Sequence, residues 1–214
     1  MTRLYALDLR PFQDGSWRDL LPLLPQERQT RALACRFDAD RARVTGSGWL
    51  LQYALQQAGL PATEQIFSKT AAGKPVLLHQ ENLHFSLSHS GHWTVCAIGD
   101  QPLGADVELP RCTLRIAERH FRPEELEGLL SLPEHEWRDQ LNRLWTAKEA
   151  YLKALGCGLS IPLTSFTVRL TEDEAFLEQA LSSLPYRLHE YRQDCYRLCL
   201  CTVDDRPELT IVTA

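Results

Sequence analysis

Trp145-Thr146-Ala147-Lys148-Glu149-Ala150-Tyr151-Leu152-Lys153 lies in a run from Glu134 to Leu155 whose apolar residues recur at helical spacing. It sets charge where an amphipathic helix ordinarily carries only apolar side chains. At about 100° per residue, Leu141, Leu144, Trp145, Leu152 and Leu155 form one stripe, with Lys148 in its middle. Glu149 and Lys153 lie side by side along one edge, one turn apart. Taken alone, the triad reads plainly as a snorkelling lysine beside a solvated i,i+4 pair. The rest of the chain argues for a ligand.

Upstream, Leu103-Gly104-Ala105-Asp106-Val107-Glu108-Leu109 alternates like a strand after the turn signal Asp100-Gln101-Pro102. A period of two points Asp106 and Glu108 to one face. Neighbouring carboxylates repel each other; water screens them on a solvated strand, whereas a hard divalent cation relieves the repulsion and uses the oxygens. Magnesium suits such a pair because it takes one or two carboxylates and completes its octahedron with water and substrate phosphate. Before that strand, Phe85-Ser86-Leu87-Ser88-His89-Ser90-Gly91 starts in alternation and ends in hydroxyl, imidazole and glycine. That composition suits a turn or a phosphate held at a strand end. Gly73-Lys74-Pro75 puts a cation on a stiff loop.

In this order, Gly73-Lys74-Pro75, Ser88-His89-Ser90, Gly104-x-Asp106-x-Glu108 and Trp145-x-x-Lys148-Glu149-x-x-x-Lys153, followed by Gly156 and Gly158, resemble the motifs of the 4′-phosphopantetheinyl transferases. The likeness is to the larger, Sfp-like class that modifies carrier proteins, and it runs through most of the chain. Each motif is common and the combination is specific. The chain departs at Ala105, where the family usually has a larger β-branched residue, a change that touches no ligand.

The resemblance implies an α+β fold of two similar halves, here 1–102 and 103–214, related by pseudo-twofold symmetry, with coenzyme A in the cleft between them. It implies transfer of the 4′-phosphopantetheine arm of coenzyme A to a serine of an apo acyl, peptidyl or aryl carrier protein, with release of adenosine 3′,5′-bisphosphate. Mg2+, with Mn2+ as a substitute, would be held in the second half by Asp106, Glu108 and Glu149. By the same resemblance Glu149 is also the candidate general base, and Lys153 neutralises the transferring phosphate. Ser88 and His89 hold coenzyme A phosphates, Lys74 meets the adenine or phosphate end, and Lys148 anchors a phosphate or the helix itself. For the 3′-phosphate, Arg43 in Asp40-Arg41-Ala42-Arg43 is the best match, with Arg41 close behind and Arg28 and Arg31 further upstream. Two other functions were weighed: a non-catalytic regulator that binds coenzyme A or a carrier, and a magnesium-dependent transferase acting on another pyrophosphate compound. The intact Asp106, Glu108, Glu149 and Lys153 set argues against the regulator.

The 214 residues are 44% hydrophobic and carry a formal net charge of −5. This is ordinary for a globular protein and wrong for a broad binder of nucleic acid or lipid surfaces, which needs a cationic excess. No apolar run is long enough to span a bilayer and no signal peptide is recognisable, so a cytoplasmic monomer is expected. Seven cysteines, an odd number, argue for reduced thiols over a disulfide framework. Cys195, Cys199 and Cys201 fall on one face of an expected strand and read as buried packing.

The first half reads as a strand at Arg3 to Leu9 and helices around Trp17 to Leu23, Pro25 to Cys35 and Ala39 to Ala58, then a strand at Ile66 to Ser68 and a hairpin from Phe85 to Gly99. The second reads as the Gly104 to Glu108 strand and helices near Thr113 to His120, Pro123 to Leu130 and Glu134 to Leu155. Strands near Phe166 to Leu170, Tyr186 to Tyr191, Tyr196 to Val203 and Leu209 to Val212 follow. Between Arg111 and Arg122, arginines at 111, 115, 119 and 122 are expected on one helical face, a docking surface for an acidic carrier protein beside the Asp106 and Glu108 strand.

Overall fold

The computed structural model describes the backbone of residues 1–214 and the side chains other than those of Thr63, Glu134, His135 and Leu159. In chain order the elements are β1 (Arg3–Asp8), α1 (Trp17–Leu20), α2 (Gln26–Leu33), α3 (Asp38–Gln57), β2 (Phe67–Lys69), β3 (Pro75–Leu77), β4 (His84–Ser90), β5 (Trp93–Gly99) and β6 (Gly104–Glu108). There follow α4 (Leu114–His120), α5 (Pro123–Leu130), α6 (Glu134–Leu155), β7 (Thr167–Leu170), β8 (Ala175–Glu178), β9 (Arg187–Gln193), β10 (Tyr196–Thr202) and β11 (Leu209–Val212). The α+β class and the long elements agree with the sequence reading. The short strands β3 and β8 were not expected from it, because each is a brief hairpin arm with little periodicity to read.

Two sheets carry the fold, one ordered β11-β1-β5-β4 and one ordered β6-β10-β9. Alternation along the strands assigns their faces. Leu4, Ala6, Trp93, Val95 and Ala97 of the first sheet meet Ala105, Val107, Leu198 and Leu200 of the second in a shared core. The opposite face of the first sheet, with Tyr5, Leu7, Cys96 and Ile98, packs on Leu50, Leu51, Ala54 and Leu55 of α3. The opposite face of the second, with Leu188, Cys199 and Cys201, packs under Leu141, Leu144 and Leu152 of α6. The layers are therefore helix, sheet, sheet, helix. Cys195 lies outside this packing, exposed in the turn before β10.

The two halves repeat one connectivity: strand, long helix, then hairpin, with the last strand in the middle (β1-β5-β4 and β6-β10-β9). One strand pairing spans the boundary expected at 102/103: β11 returns to pair in parallel with β1, Leu209 opposite Leu4. A C-terminal strand read only from its own alternation carries no information about which sheet edge accepts it.

Both long helices have legible ends. Asp38 and Asp40 occupy the first turn of α3, where a helix N-terminus favours negative charge. Gly156 caps α6 in the left-handed conformation, with φ of 69°. Among the described residues no helix is long and apolar enough to cross a membrane.

α6 crosses β6 with its backbone directly against the strand. A Cβ on Gly104 would lie 2.1 Å from the Ala150 carbonyl oxygen and 2.3 Å from the Ala154 nitrogen, backbone atoms that cannot swing aside. The glycine opening the Gly104-x-Asp106-x-Glu108 motif thus lets a strand and a helix touch. Gly104→Ala is expected to lower the unfolding free energy by about 3 kcal/mol in urea titration. Gly128→Ala on α5, with open space around the new methyl, should raise stability by about 0.5–1 kcal/mol.

Candidate active site at the seam of the two sheets

β4 and β6 are edge strands of different sheets, and β6 presents backbone N–H groups that no neighbouring strand of its own sheet can accept. Serines on alternate positions of β4 close that edge. Ser86 Oγ accepts from Ala105 N at 3.0 Å, and Ser90 Oγ accepts from Leu109 N at 3.2 Å. The same row reaches the carboxylates: Ser88 Oγ donates to Asp106 Oδ1 at 2.7 Å and Ser90 Oγ to Glu108 Oε2 at 2.8 Å. From the helix side, Lys153 Nζ lies 2.6 Å from Asp106 Oδ1 and 2.8 Å from Ser88 Oγ. Asp106 is 3% exposed, and its other oxygen, Oδ2, is buried with no hydrogen-bond partner.

Glu149 of α6 and Glu108 of β6 complete an acidic group around Asp106. Burial is the largest influence raising the pKa of each above its ordinary value, and the Asp106 carboxylate is next. Lys153 opposes the shift of Glu149; Ser90, Lys153 and Arg111 oppose that of Glu108. The Asp106 charge thus reaches both glutamates through a poorly solvated space. Among the described residues no three His, Cys, Asp or Glu side chains already converge as a metal cage; Lys153 is the cation paired with Asp106. Asn142 Nδ2, two turns before Glu149, donates to the Glu108 carbonyl at 3.2 Å and holds the strand end.

The resemblance groups Ser88 and His89, and the strand separates them. Ser88 stands opposite Val95 on the inner face, while His89 is paired with Thr94 on the face turned to α3. Although His89 is an exposed residue, burial of its ring and then the Arg43 cation pull its pKa down, with Lys153 and Arg31 adding to the effect. Arg43 itself pairs with Asp40. Arg41 points elsewhere: its guanidinium bonds Asp38 at 2.8 Å and lies 5.5 Å from the Trp17 ring centroid. Of the two arginines left open by the sequence, Arg43 is the one whose charge acts on His89.

Lys148, expected to anchor either a coenzyme A phosphate or the helix itself, is buried in the scaffold. It is 0% exposed, pairs with Glu125 at 2.6 Å, and donates to the carbonyls of Leu163 at 2.8 Å and Phe166 at 2.9 Å. Its ammonium also lies 4.5 Å from the centre of the Phe166 ring. Burial lowers its pKa, with Glu125 acting against the shift. Glu125 accepts in addition from Val168 N and Arg122 N, both at 2.8 Å. The helix therefore turns Lys148 inward and its sequence neighbour Glu149 toward the seam. The expected arginine face is also shorter than four residues: α4 ends at His120, and Arg122 turns away to bond the Thr164 carbonyl at 2.8 Å. Arg111, Arg115 and Arg119 remain exposed.

A cavity of about 260 Å3 opens beside Lys153, lined by Gly73, Lys74, Pro75, Phe85, Ser86, Leu87, Gly156 and Gly158. Lys74 spends two of its protons on backbone, donating to the Lys153 carbonyl at 2.6 Å and the Leu103 carbonyl at 3.2 Å. Burial pulls its pKa down to about 8.

Residues 102–201 match the 4′-phosphopantetheinyl transferase superfamily, and residues 10–100 match a second family described as 4′-phosphopantetheinyl transferase, N-terminal. The 4′-phosphopantetheinyl transferase psf-1 of Bacillus pumilus is 35% identical over 94% of this chain and 89% of its own length. The 4′-phosphopantetheinyl transferase Sfp of Bacillus subtilis (strain 168) is 33% identical over 99% of this chain and 97% of its own. The chain belongs to the 4′-phosphopantetheinyl transferase family. Among solved structures, a holo-(acyl-carrier-protein) synthase from Bacillus anthracis str. Ames in complex with CoA (3′,5′-ADP) overlays on 47% of this chain and 92% of its own, at 18% identity and a TM-score of 0.42.

Within this phosphopantetheinyl transferase the family motifs meet at one seam, and the supporting residues Ser86, Ser90, Glu125 and Asn142 went unassigned in the sequence. Only the serines left a signal: Ser86, Ser88 and Ser90 keep the same period of two as Asp106 and Glu108. Lys148→Met strands a buried carboxylate and is expected to cost about 3–5 kcal/mol in chemical denaturation. In Lys148→Met combined with Glu125→Gln much of that loss should return, and coenzyme A affinity of the folded fraction should match wild type.

Proposed function

We propose that this protein transfers the 4′-phosphopantetheine group of coenzyme A to a serine of an apo carrier protein, using Mg2+ held by Asp106, Glu108 and Glu149. The observation that carries the reading is the buried Asp106 carboxylate, with Lys153 and Ser88 on one oxygen, no hydrogen-bond partner on the other, and two further carboxyls whose pKa values are raised by burial and then by its charge. That donor set fits a hard cation which takes few carboxylates and completes its coordination with water and phosphate oxygens. When bound, Mg2+ supplies charge stabilisation to the pyrophosphate. The names of the relatives Sfp and psf-1 support the same chemistry.

In this reading the serine oxygen attacks the pantetheine-side phosphorus and the bond to the adenosine-side phosphate oxygen breaks, releasing adenosine 3′,5′-bisphosphate. Glu149 takes the serine proton. The Lys153 ammonium, already fixed between Asp106 and Ser88, offsets charge developing on the phosphate oxygens. Arg43 and His89, with Arg31 and Arg28 behind them, receive the 3′-phosphate. The residue set lies in a single chain, which supports a monomer as the working unit.

A carboxyl whose folded pKa is raised holds its proton more tightly in the folded protein than in the unfolded chain. Its stabilising contribution is present below the ordinary pKa and is lost as pH rises through the raised one. Ionised Glu149 is therefore a liability without metal at neutral pH. Glu149→Gln should abolish transfer, read as the mass gain on an apo acyl carrier protein. Without magnesium it should raise Tm by about 2–4 °C at pH 7.5 and by less at about pH 4.5.

The exposed Arg111, Arg115 and Arg119 flank the seam and face outward, where an acidic carrier would approach. Arg115→Glu with Arg119→Glu is expected to raise the carrier KM by roughly tenfold at low salt and to flatten its salt dependence, with coenzyme A affinity unchanged in calorimetry.

A further inference from the structure

We infer that Lys74 is a positioning residue, an ammonium staple that fixes the end of α6 to the start of β6 and so sets the spacing of the acidic group. The staple is not a ligand contact. Its two acceptors are backbone carbonyls on the elements that carry Lys153 and Glu149 on one side and Asp106 and Glu108 on the other. The inference deepens the transferase reading and rests on it for its kinetic test.

Three observations converge on this role. Lys74 Nζ lies 2.6 Å from the carbonyl oxygen of Lys153, the residue whose side chain meets Asp106, and 3.2 Å from that of Leu103, just before Gly104. The Lys153 carbonyl also accepts from Gly156 N at 3.2 Å, and the C-terminal end of a helix favours a cation, so the ammonium reinforces that cap and binds the neighbouring strand with the same charge. The stem runs through a notch kept open by Gly156, where an added Cβ would approach Lys74 Cδ to 3.1 Å. The backbone beneath it is stiff as well: Lys74 N donates to Thr70 Oγ1 at 3.1 Å, Thr70 N donates to the Lys74 carbonyl at 2.9 Å, and Pro75 follows. Gly104 lets β6 and α6 touch, and Lys74 holds them at that point of contact.

A staple and a ligand differ in what they move. Lys74→Met keeps most of the stem and removes the donor. With an apo acyl carrier protein as acceptor, we expect it to lower kcat at saturating coenzyme A by about tenfold to a hundredfold, to leave the coenzyme A Kd in calorimetry within about twofold, and to be largely rescued by Lys74→Arg. A Kd weakened tenfold with kcat intact would make Lys74 a ligand contact and overturn the inference, as would unchanged kcat. Hydrogen–deuterium exchange over residues 150–156 and 103–106 reads the staple without any transfer: faster exchange in Lys74→Met supports it, and identical exchange overturns it. If wild type binds coenzyme A but modifies neither an acyl nor a peptidyl carrier, the transferase reading fails while the exchange test still decides this one. Should Lys74→Met not fold, Lys74→Gln, with a shorter neutral donor, is read by the same exchange and Kd criteria.

Discussion

Asp106 is a carboxylate buried where two sheets meet without a shared ladder, and the rest of the structure is arranged around keeping it there. A buried charge is tolerated only when paired and hydrogen-bonded. Here Lys153 and Ser88 hold one oxygen, from a helix and from the facing strand, and the other oxygen is left with no partner. The same contacts that compensate the charge join the two halves of the molecule. The site and the seam are one construction.

That dual use explains why the glycines and serines matter as much as the charged residues. Serine hydroxyls of β4 stand in for a partner strand along β6, accepting its N–H groups and donating to its carboxylates. Gly104 removes the side chain that would keep α6 away, and Lys74 binds both elements where they touch. Glu149 and Lys148, adjacent in sequence, are split between tasks: one faces the seam, and the other locks α5 and the segment before β7 onto the helix. A stable acidic group without a cation would be poor design for stability alone. The raised carboxyl pKa values record that tension, which fits a site built to receive a metal and a pyrophosphate.

Much of the fold was legible because its signals are local. β6, α5, α6 and β11 fall where periodicity, proline and glycine put them, since amphipathic spacing and capping act within a few residues. The site was legible as motifs in order, and Lys153 reaches Asp106 and Ser88 at the seam. Roles were harder to read. Lys148 stays open between phosphate and helix in the sequence, which records a charge on an apolar stripe but not whether a buried glutamate waits for it. Ser88 and His89 were treated as one cluster, although a strand sends neighbours to opposite faces.

Spacing along the chain was enough for the long elements, for the parity of Ser86, Ser88 and Ser90 with Asp106 and Glu108, and for the family, because each of these is a local pattern. Only the tertiary structure decided that β11 joins the first sheet, that Arg41 pairs with Asp38 and Arg43 with Asp40, and that Lys148 and Lys74 point into protein. Each of those outcomes depends on the partner met across space. A charged side chain goes to whichever buried acceptor the packing brings within hydrogen-bond reach, and no local pattern encodes that distance.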